Sequence, residues 1–335
     1  MWPGLLLVAG LALTAIAVAG IPPVRASGLS ALTLAILLGI VVGNSVFPAI
    51  AAKTGAGVDF SKSMLLRAGI ILYGLRVTFQ DIASVGLSGV VIAVLMVASV
   101  FLLAVFLGTR VFKLDRETSM LIGAGSAICG AAAVMATEPV VRGEPHKVAV
   151  AVATVVVFGT LGMFLYPWLN VWFGLPEHAY GIYVGSTIHE VAQVVVAGKS
   201  VGDAAAATAV IEKMMRVMLL APFLLILAAG LRRAGTLPTD GSDSRAAIPI
   251  PWFALMFIAV SGLNSTGWLP PSLVEVLIQL DTLLLAMAMA ALGLRTQFSA
   301  IRQAGAKPLL LAASLFVFLT VGGLAINIGV TRLLG

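Results

Sequence analysis

Apolar residues in this chain run in stretches of about twenty, separated by short linkers that hold most of the Pro, Asp, Lys and Arg. An α-helix crosses the hydrocarbon core of a bilayer in about 20 residues, so each stretch is the right length for one span. The pattern predicts helices near 4–20, 29–47, 63–80, 84–108, 118–137, 146–166, 180–198, 204–231, 249–267, 272–294 and 307–331. The longest linker, Arg232 to Ala247, is polar and reads as a solvent loop. The fold class expected is an all-α polytopic membrane protein with 9–11 transmembrane segments. It forms a single domain over 1–335, with approximate halves 29–166 and 180–331.

One phrase occurs twice. Tyr73-Gly74-Leu75-Arg76, followed by Phe79, Ile82 and Gly86, returns 219 positions later as Leu292-Gly293-Leu294-Arg295 with Phe298, Ile301 and Gly305. Internal repeats of this kind build inverted-repeat transporters, whose substrate sites lie midway through the bilayer between discontinuous helices. Alternation of the spans runs the two copies antiparallel.

The stretches at 118–137 and 180–198 resemble each other. Gly125-Ser126-Ala127-Ile128-Cys129-Gly130 aligns with Gly185-Ser186-Thr187-Ile188-His189-Glu190, and Ala132-x-Val134 with Ala192-x-Val194. Each glycine inside a helix costs about 1 kcal/mol relative to alanine, so the glycines at 123, 125 and 130 weaken the first of these. Two readings stay open: glycine-lined close packing, or broken or re-entrant helices around a site. On the second reading Ser126 and Ser186 would cap half-helices whose free N–H groups and positive ends attract anions. Gly125, Ser126, Cys129, Gly130, Ser186, Thr187 and Gln193 are then the candidate substrate-binding residues. If both segments dip and return, they enter from opposite faces and meet at the midplane.

Composition excludes a soluble fold. Hydrophobic residues make up 60% and charged residues 10%, with mean hydropathy +1.11, where soluble domains carry about 25% charge. The net charge of +6 reads as loop charge, not as a nucleic-acid footprint. The distribution of Lys and Arg puts the N-terminus in the cytoplasm. The run Leu5 to Gly20 ends in Ala17-Val18-Ala19 like a signal-peptidase site but lacks a basic leader, so it reads as an uncleaved span. Cys129 is the single cysteine, which excludes an intramolecular disulfide.

Ionisable groups inside spans are costly, and function is their default reading. Glu212 and Arg216 stand four apart and can neutralise each other, leaving Lys213, and part of Arg216, as positive charge for an anionic substrate. His189 and Glu190 are candidates for proton or ion coupling, with Asp281 as a rival proton or sodium site. Arg67 reads as snorkelling to the interface. Glu138, Arg142, Glu144, His146 and Lys147 form a mixed-charge linker expected in solvent. Enzymatic readings find little support. His189-Glu190-Val191-Ala192-Gln193 lacks the second histidine of a zinc protease, and Gly125-Ser126-Ala127 lacks the second glycine of a nucleophile elbow. No cofactor and no metal is expected. The partners expected are a small anionic solute, H+ or Na+ as coupling ion, and the lipid bilayer, with a homodimer left open.

Several stretches resemble the YeiH-type sulfate exporter family of bacterial inner-membrane proteins. They include Leu66-Arg67-Ala68-Gly69-Ile70-Ile71-Leu72-Tyr73-Gly74-Leu75-Arg76, Ser126-Ala127-Ile128-Cys129-Gly130-Ala131 and Gly185-Ser186-Thr187-Ile188-His189-Glu190-Val191-Ala192-Gln193-Val194. Lys213-Met214-Met215-Arg216-Val217-Met218 and Ala286-Met287-Ala288-Met289-Ala290-Ala291-Leu292-Gly293-Leu294 continue it, so that it covers nearly the whole chain. The resemblance implies a multi-pass inner-membrane secondary transporter that exports or exchanges sulfate, sulfite or a sulfonate. The alternatives carried with it are a sodium-coupled organic-anion carrier, then an anion channel or an intramembrane enzyme.

Overall fold

The computed structural model describes residues 1–22, 24, 30–233, 252–296 and 305–334, and among them there is no strand. The first helices are α1 (Trp2–Ala19), α2 (Ala31–Gly43), α3 (Phe47–Phe60), α4 (Leu66–Tyr73) and α5 (Phe79–Phe106). Then come α6 (Arg116–Ala127), α7 (Ala131–Val141), α8 (Pro145–Phe173), α9 (Glu177–Thr187), α10 (Val191–Lys199) and α11 (Asp203–Met218). The chain continues through α12 (Leu220–Arg233), α13 (Trp252–Ser265), α14 (Pro271–Arg295), α15 (Ala306–Val317) and α16 (Gly323–Leu334). Among the described residues, six helical runs are long and apolar enough to cross a membrane. All five tryptophans are exposed and sit at helix ends or in the turn after α13, as in an interfacial aromatic belt. The chain is an all-α polytopic membrane protein. The predicted loop Arg232 to Ala247 lies, beyond Arg233, outside the described residues.

One stretch departs from the expected spans. Residues 48–62, between two predicted spans, are helical, and the helix runs without interruption from Phe47 to Arg76 through one π-helical turn at Ser61–Leu65. Lys53, Asp59 and Lys62 made this stretch look like a linker. Tertiary contacts explain its helicity: Asp59 is paired with Arg295, and Gly57 lies directly against Gly4 of α1.

The segments at 118–137 and 180–198 are helical hairpins. In the second, the Tyr180 hydroxyl donates to the Ala197 carbonyl at 3.2 Å. Along a straight helix those residues would stand about 26 Å apart, so α10 must fold back on α9. Its base is tied where Ala205 N–H donates to Glu177 at 3.3 Å. In the first, a Cβ on Gly125 would lie 2.7 Å from Val134, which places α7 on α6. There Lys147 closes the base, with Nζ 2.7 Å from Glu117 and 3.3 Å from Asp115. Lys147 was expected in solvent, yet its side chain is only 16% exposed, because returning the chain to its starting point brings it onto those carboxylates.

Helix α8 explains how the hairpins meet. Hairpin one leads into its first residue and hairpin two follows its last, and 29 helical residues span about 43 Å. The hairpins therefore open at opposite ends. Both tips pack against the middle of α8: Gly125 against Val155, Gln193 against Gly159 and Ile188 against Gly162.

The repeated phrase ends two antiparallel helices. Arg76, after α4, bonds Asp281 of α14 at 2.8 Å, while Arg295, at the end of α14, bonds Asp59 of α3 at 2.8 and 2.6 Å. Each arginine reaches a carboxylate on the other copy's helix. The glycines reciprocate as well, Gly74 packing on α13 and Gly293 on α2, each the helix that precedes the other copy. Gly86 and Gly305, in register, both take positive φ, +59° and +83°, the first at a kink inside α5 and the second just before α15. Phe298 and Ile301 of the second copy lie outside the described residues. The hairpins do not share the 219 offset, since one follows the first set of helices and the other precedes the second.

The two ion pairs differ in burial. Asp281 is fully buried and Asp59 is 58% exposed. Arg76→Met strands a buried carboxylate and is expected to cost about 3–5 kcal/mol, whereas Arg295→Met is expected to cost about 1 kcal/mol or less. Thermal midpoints of the two variants in detergent check this ordering.

Candidate functional site

Breaking a helix leaves its last carbonyls and first N–H groups without partners, and in a bilayer no water replaces them. At the two tips this problem arises four times within one small volume. The incoming helices α6 and α9 end at Ala127 and Thr187, and the returning helices α7 and α10 begin at Ala131 and Val191. Their mutual proximity is fixed by helix α11, which passes beside both tips.

Lys213 and Arg216 of α11 close the carbonyl ends. Being three apart, they face the same way on the helix. Lys213 Nζ donates to Ile128 O at 2.7 Å and to Ile188 O at 2.6 Å, one carbonyl from each hairpin. Arg216 donates to Ser126 O at 3.1 Å, to Ala127 O through Nε at 3.0 Å and to Ser186 O at 2.6 Å. Each helix C-terminus carries roughly half a negative charge, so two cations there satisfy both geometry and charge. All of these side chains are buried.

Glu190 closes the N–H ends. It N-caps α10 in a capping box with Gln193, whose Oε1 accepts from Glu190 N–H at 3.0 Å. Its Oε1 also accepts from Ala131 N–H, the first of α7, at 3.2 Å. One carboxylate thus sits at the positive ends of both returning helices. Gly130 makes this possible. Its φ is +67°, and a Cβ there would stand 2.3 Å from Glu190 Cγ.

A cavity of about 140 Å3 opens in front of the tips. Cys129, Ala131 and Glu190 line it from the hairpins, Lys62 and Arg67 from the helix 47–76, and Leu292 from α14. A second cavity of about 230 Å3 shares Lys62 and Leu292 with it and reaches Arg295 and Thr296.

Of the residues singled out in the sequence, the structure gathers Gly125, Ser126, Cys129, Gly130, Ser186, Thr187, His189, Glu190, Gln193, Lys213 and Arg216 around the tips. Ser126 and Ser186 do not cap the returning helices. They lie in the last turns of α6 and α9, because the breaks, at 128–130 and 188–190, fall two to four residues after these serines. Ser186 accepts from Asn327, while Ser126 Oγ, His189 Nδ1 and Gln193 Nε2 have no hydrogen-bond partner among the described residues. Lys213 and Arg216 are engaged by carbonyls and are not uncompensated cations. Glu212 does not bridge to Arg216, and beside Gly89 of α5 both its oxygens lack a hydrogen-bond partner among the described residues. Asp281 stands apart in its pair with Arg76, with Oδ1 unpartnered. Lys62 was missed because it lay in an apparent linker. Arg67, expected at the interface, lines the cavity. No group of His, Cys, Asp and Glu among the described residues could hold a metal.

Lys213→Met removes the shared donor of Ile128 and Ile188 and leaves two buried carbonyls unmet, at about 1–3 kcal/mol each. The expected outcome is a lowered thermal midpoint and loss of monodisperse protein, read by size-exclusion chromatography, whether or not an anion is present.

The family model described as Conserved hypothetical protein 698 matches residues 3–312. A UPF0324 membrane protein of Pseudomonas aeruginosa is 62% identical over 327 residues, covering 96% of this chain and 92% of its own. The UPF0324 inner membrane protein YeiH of Salmonella typhi is 58% identical over 335 residues, covering 98% and 95%. That of Escherichia coli K12 is 57% identical over 329 residues, covering 97% and 93%. No solved structure gives a significant match. With one family model spanning most of its length and relatives this similar from end to end, the chain belongs to the UPF0324 family of membrane proteins.

Proposed function

We propose that this protein is a secondary active transporter of the inner membrane that exports or exchanges a small sulfur-containing anion: sulfate, sulfite or a sulfonate. The observation that carries the reading is the pair of hairpins. They open at opposite ends of α8, meet tip to tip at its middle, and face a cavity lined by Lys62 and Arg67. A solute at the tips would be reachable from either side by modest motion around a fixed site, which alternating access requires. Broken backbone at that depth has a use where it lines a solute site.

Charge and size favour a small anion. The cavity is bordered by two basic side chains and by the positive ends of two helices. Its volume of about 140 Å3 has room for a compact oxyanion. The sulfur chemistry rests on the resemblance to the YeiH-type proteins. In this reading His189 and Glu190 are the candidates for coupling proton movement to the solute, and the Lys and Arg distribution supports a cytoplasmic N-terminus.

Purified protein in liposomes is expected to move radiolabelled sulfite, sulfate or taurine, and to accumulate it against its gradient when a pH difference is imposed. Accumulation driven by sodium and indifferent to pH would instead identify a sodium-coupled carrier using Asp281. Absence of flux for every anion would end the transporter reading.

A further inference from the structure

The hairpin tips contain two strong cations, yet neither is available to a solute. Lys213 spends its ammonium on Ile128 O and Ile188 O, and Arg216 spends its guanidinium on the carbonyls of Ser126, Ala127 and Ser186. Neither residue lines the cavity in front of the tips. The cations that do line it are Lys62 and Arg67, both half-buried and, among the described residues, without an ion-pair partner.

Local backbone brings these two together. On an unbroken α-helix, residues five apart point about 140° away from each other. The π-helical turn at Ser61–Leu65 inserts one residue into the helix between them. That insertion absorbs about 100°, so Lys62 and Arg67 sit as residues four apart would, on one face. The same face looks across the cavity at Ala131, Cys129 and Glu190.

An anion in this cavity would meet Lys62 and Arg67 on one wall and the N-termini of α7 and α10 on the other. Those N-termini are already occupied, since the Glu190 carboxylate accepts from Ala131 N–H and caps α10. Glu190 is itself an anion in the position a transported anion would take. It is nine-tenths buried and borders the cavity, so its negative charge bears directly on anything seated there.

Building on the transporter reading, we propose that Lys62 and Arg67 supply the charge of the anion seat, and that Glu190 is a tethered competitor for it. The bound anion displaces the Glu190 carboxylate from the hairpin N-termini, and the carboxylate returns when the anion leaves. With no anion bound, the Glu190 side chain holds the positive wall of the seat.

Isothermal titration of sulfate, sulfite and taurine into detergent-solubilised wild-type protein and three variants tests this. Lys62→Met is expected to weaken the anion that binds best by ten-fold or more, and Lys62→Arg is expected to retain it. Glu190→Gln keeps a hydrogen-bond acceptor but removes the charge, and is expected to tighten binding several-fold, a gain that damage to the fold cannot produce. If the wild type binds an anion while Lys62→Met leaves its affinity unchanged or Glu190→Gln does not tighten it, the seat is misassigned and the transporter reading stands. If the wild type binds none of the three, the small-anion reading itself fails.

Discussion

Four unpaired helix ends in one small volume inside the membrane set the terms for the rest of this molecule. Carbonyls at Ser126, Ala127, Ile128, Ser186 and Ile188 converge from two hairpins and have no helical partners. Leaving them unmet would cost about 1–3 kcal/mol each. Lys213 and Arg216 meet that demand from a third element, α11, and so join both tips into one unit. Without them the hairpins could not stay broken at this depth.

The opposite charge arises by the same logic. Where carbonyl ends draw in cations, N–H ends draw in a carboxylate, and Glu190 fills that role for both returning helices at once. The two sets of charges lie back to back across tips only three residues long. The carbonyl face is sealed by buried side chains, while the N–H face borders the cavity and the basic residues of the helix 47–76. That asymmetry separates two kinds of charge here. Lys213 and Arg216 are sealed among carbonyls and hold the tips together, whereas Lys62 and Arg67 border the cavity.

Around this centre the repeat builds a scaffold. Arg76 and Arg295 each reach across to the partner helix, and Gly74 and Gly293 each let another helix approach closely. These contacts fasten the helices 47–76 and 271–295 side by side, running oppositely, with the cavity between their inner faces and the tips. One ion pair is buried and the other exposed, so the two ends of the scaffold are not in equivalent states.

Apolar runs of bilayer length, few charges and a twice-written Gly-Leu-Arg determined by themselves the all-helical membrane class and the antiparallel repeat. Periodicity and transfer energy act locally, and a helix end marked by arginine is a local feature. The likeness of 125–130 to 185–190 also located both tips to within a few residues. What only the tertiary structure decided is the partner of each charge. Lys213 looked free because the carbonyls it binds are 85 and 25 residues away in sequence. Lys62 looked like a linker residue because Asp59, three positions earlier, is neutralised by Arg295, 236 positions on. Whether a broken segment crosses or returns was likewise set by contacts such as Tyr180 with Ala197. A sequence states which groups must be satisfied, but only the folded chain shows which distant group satisfies them.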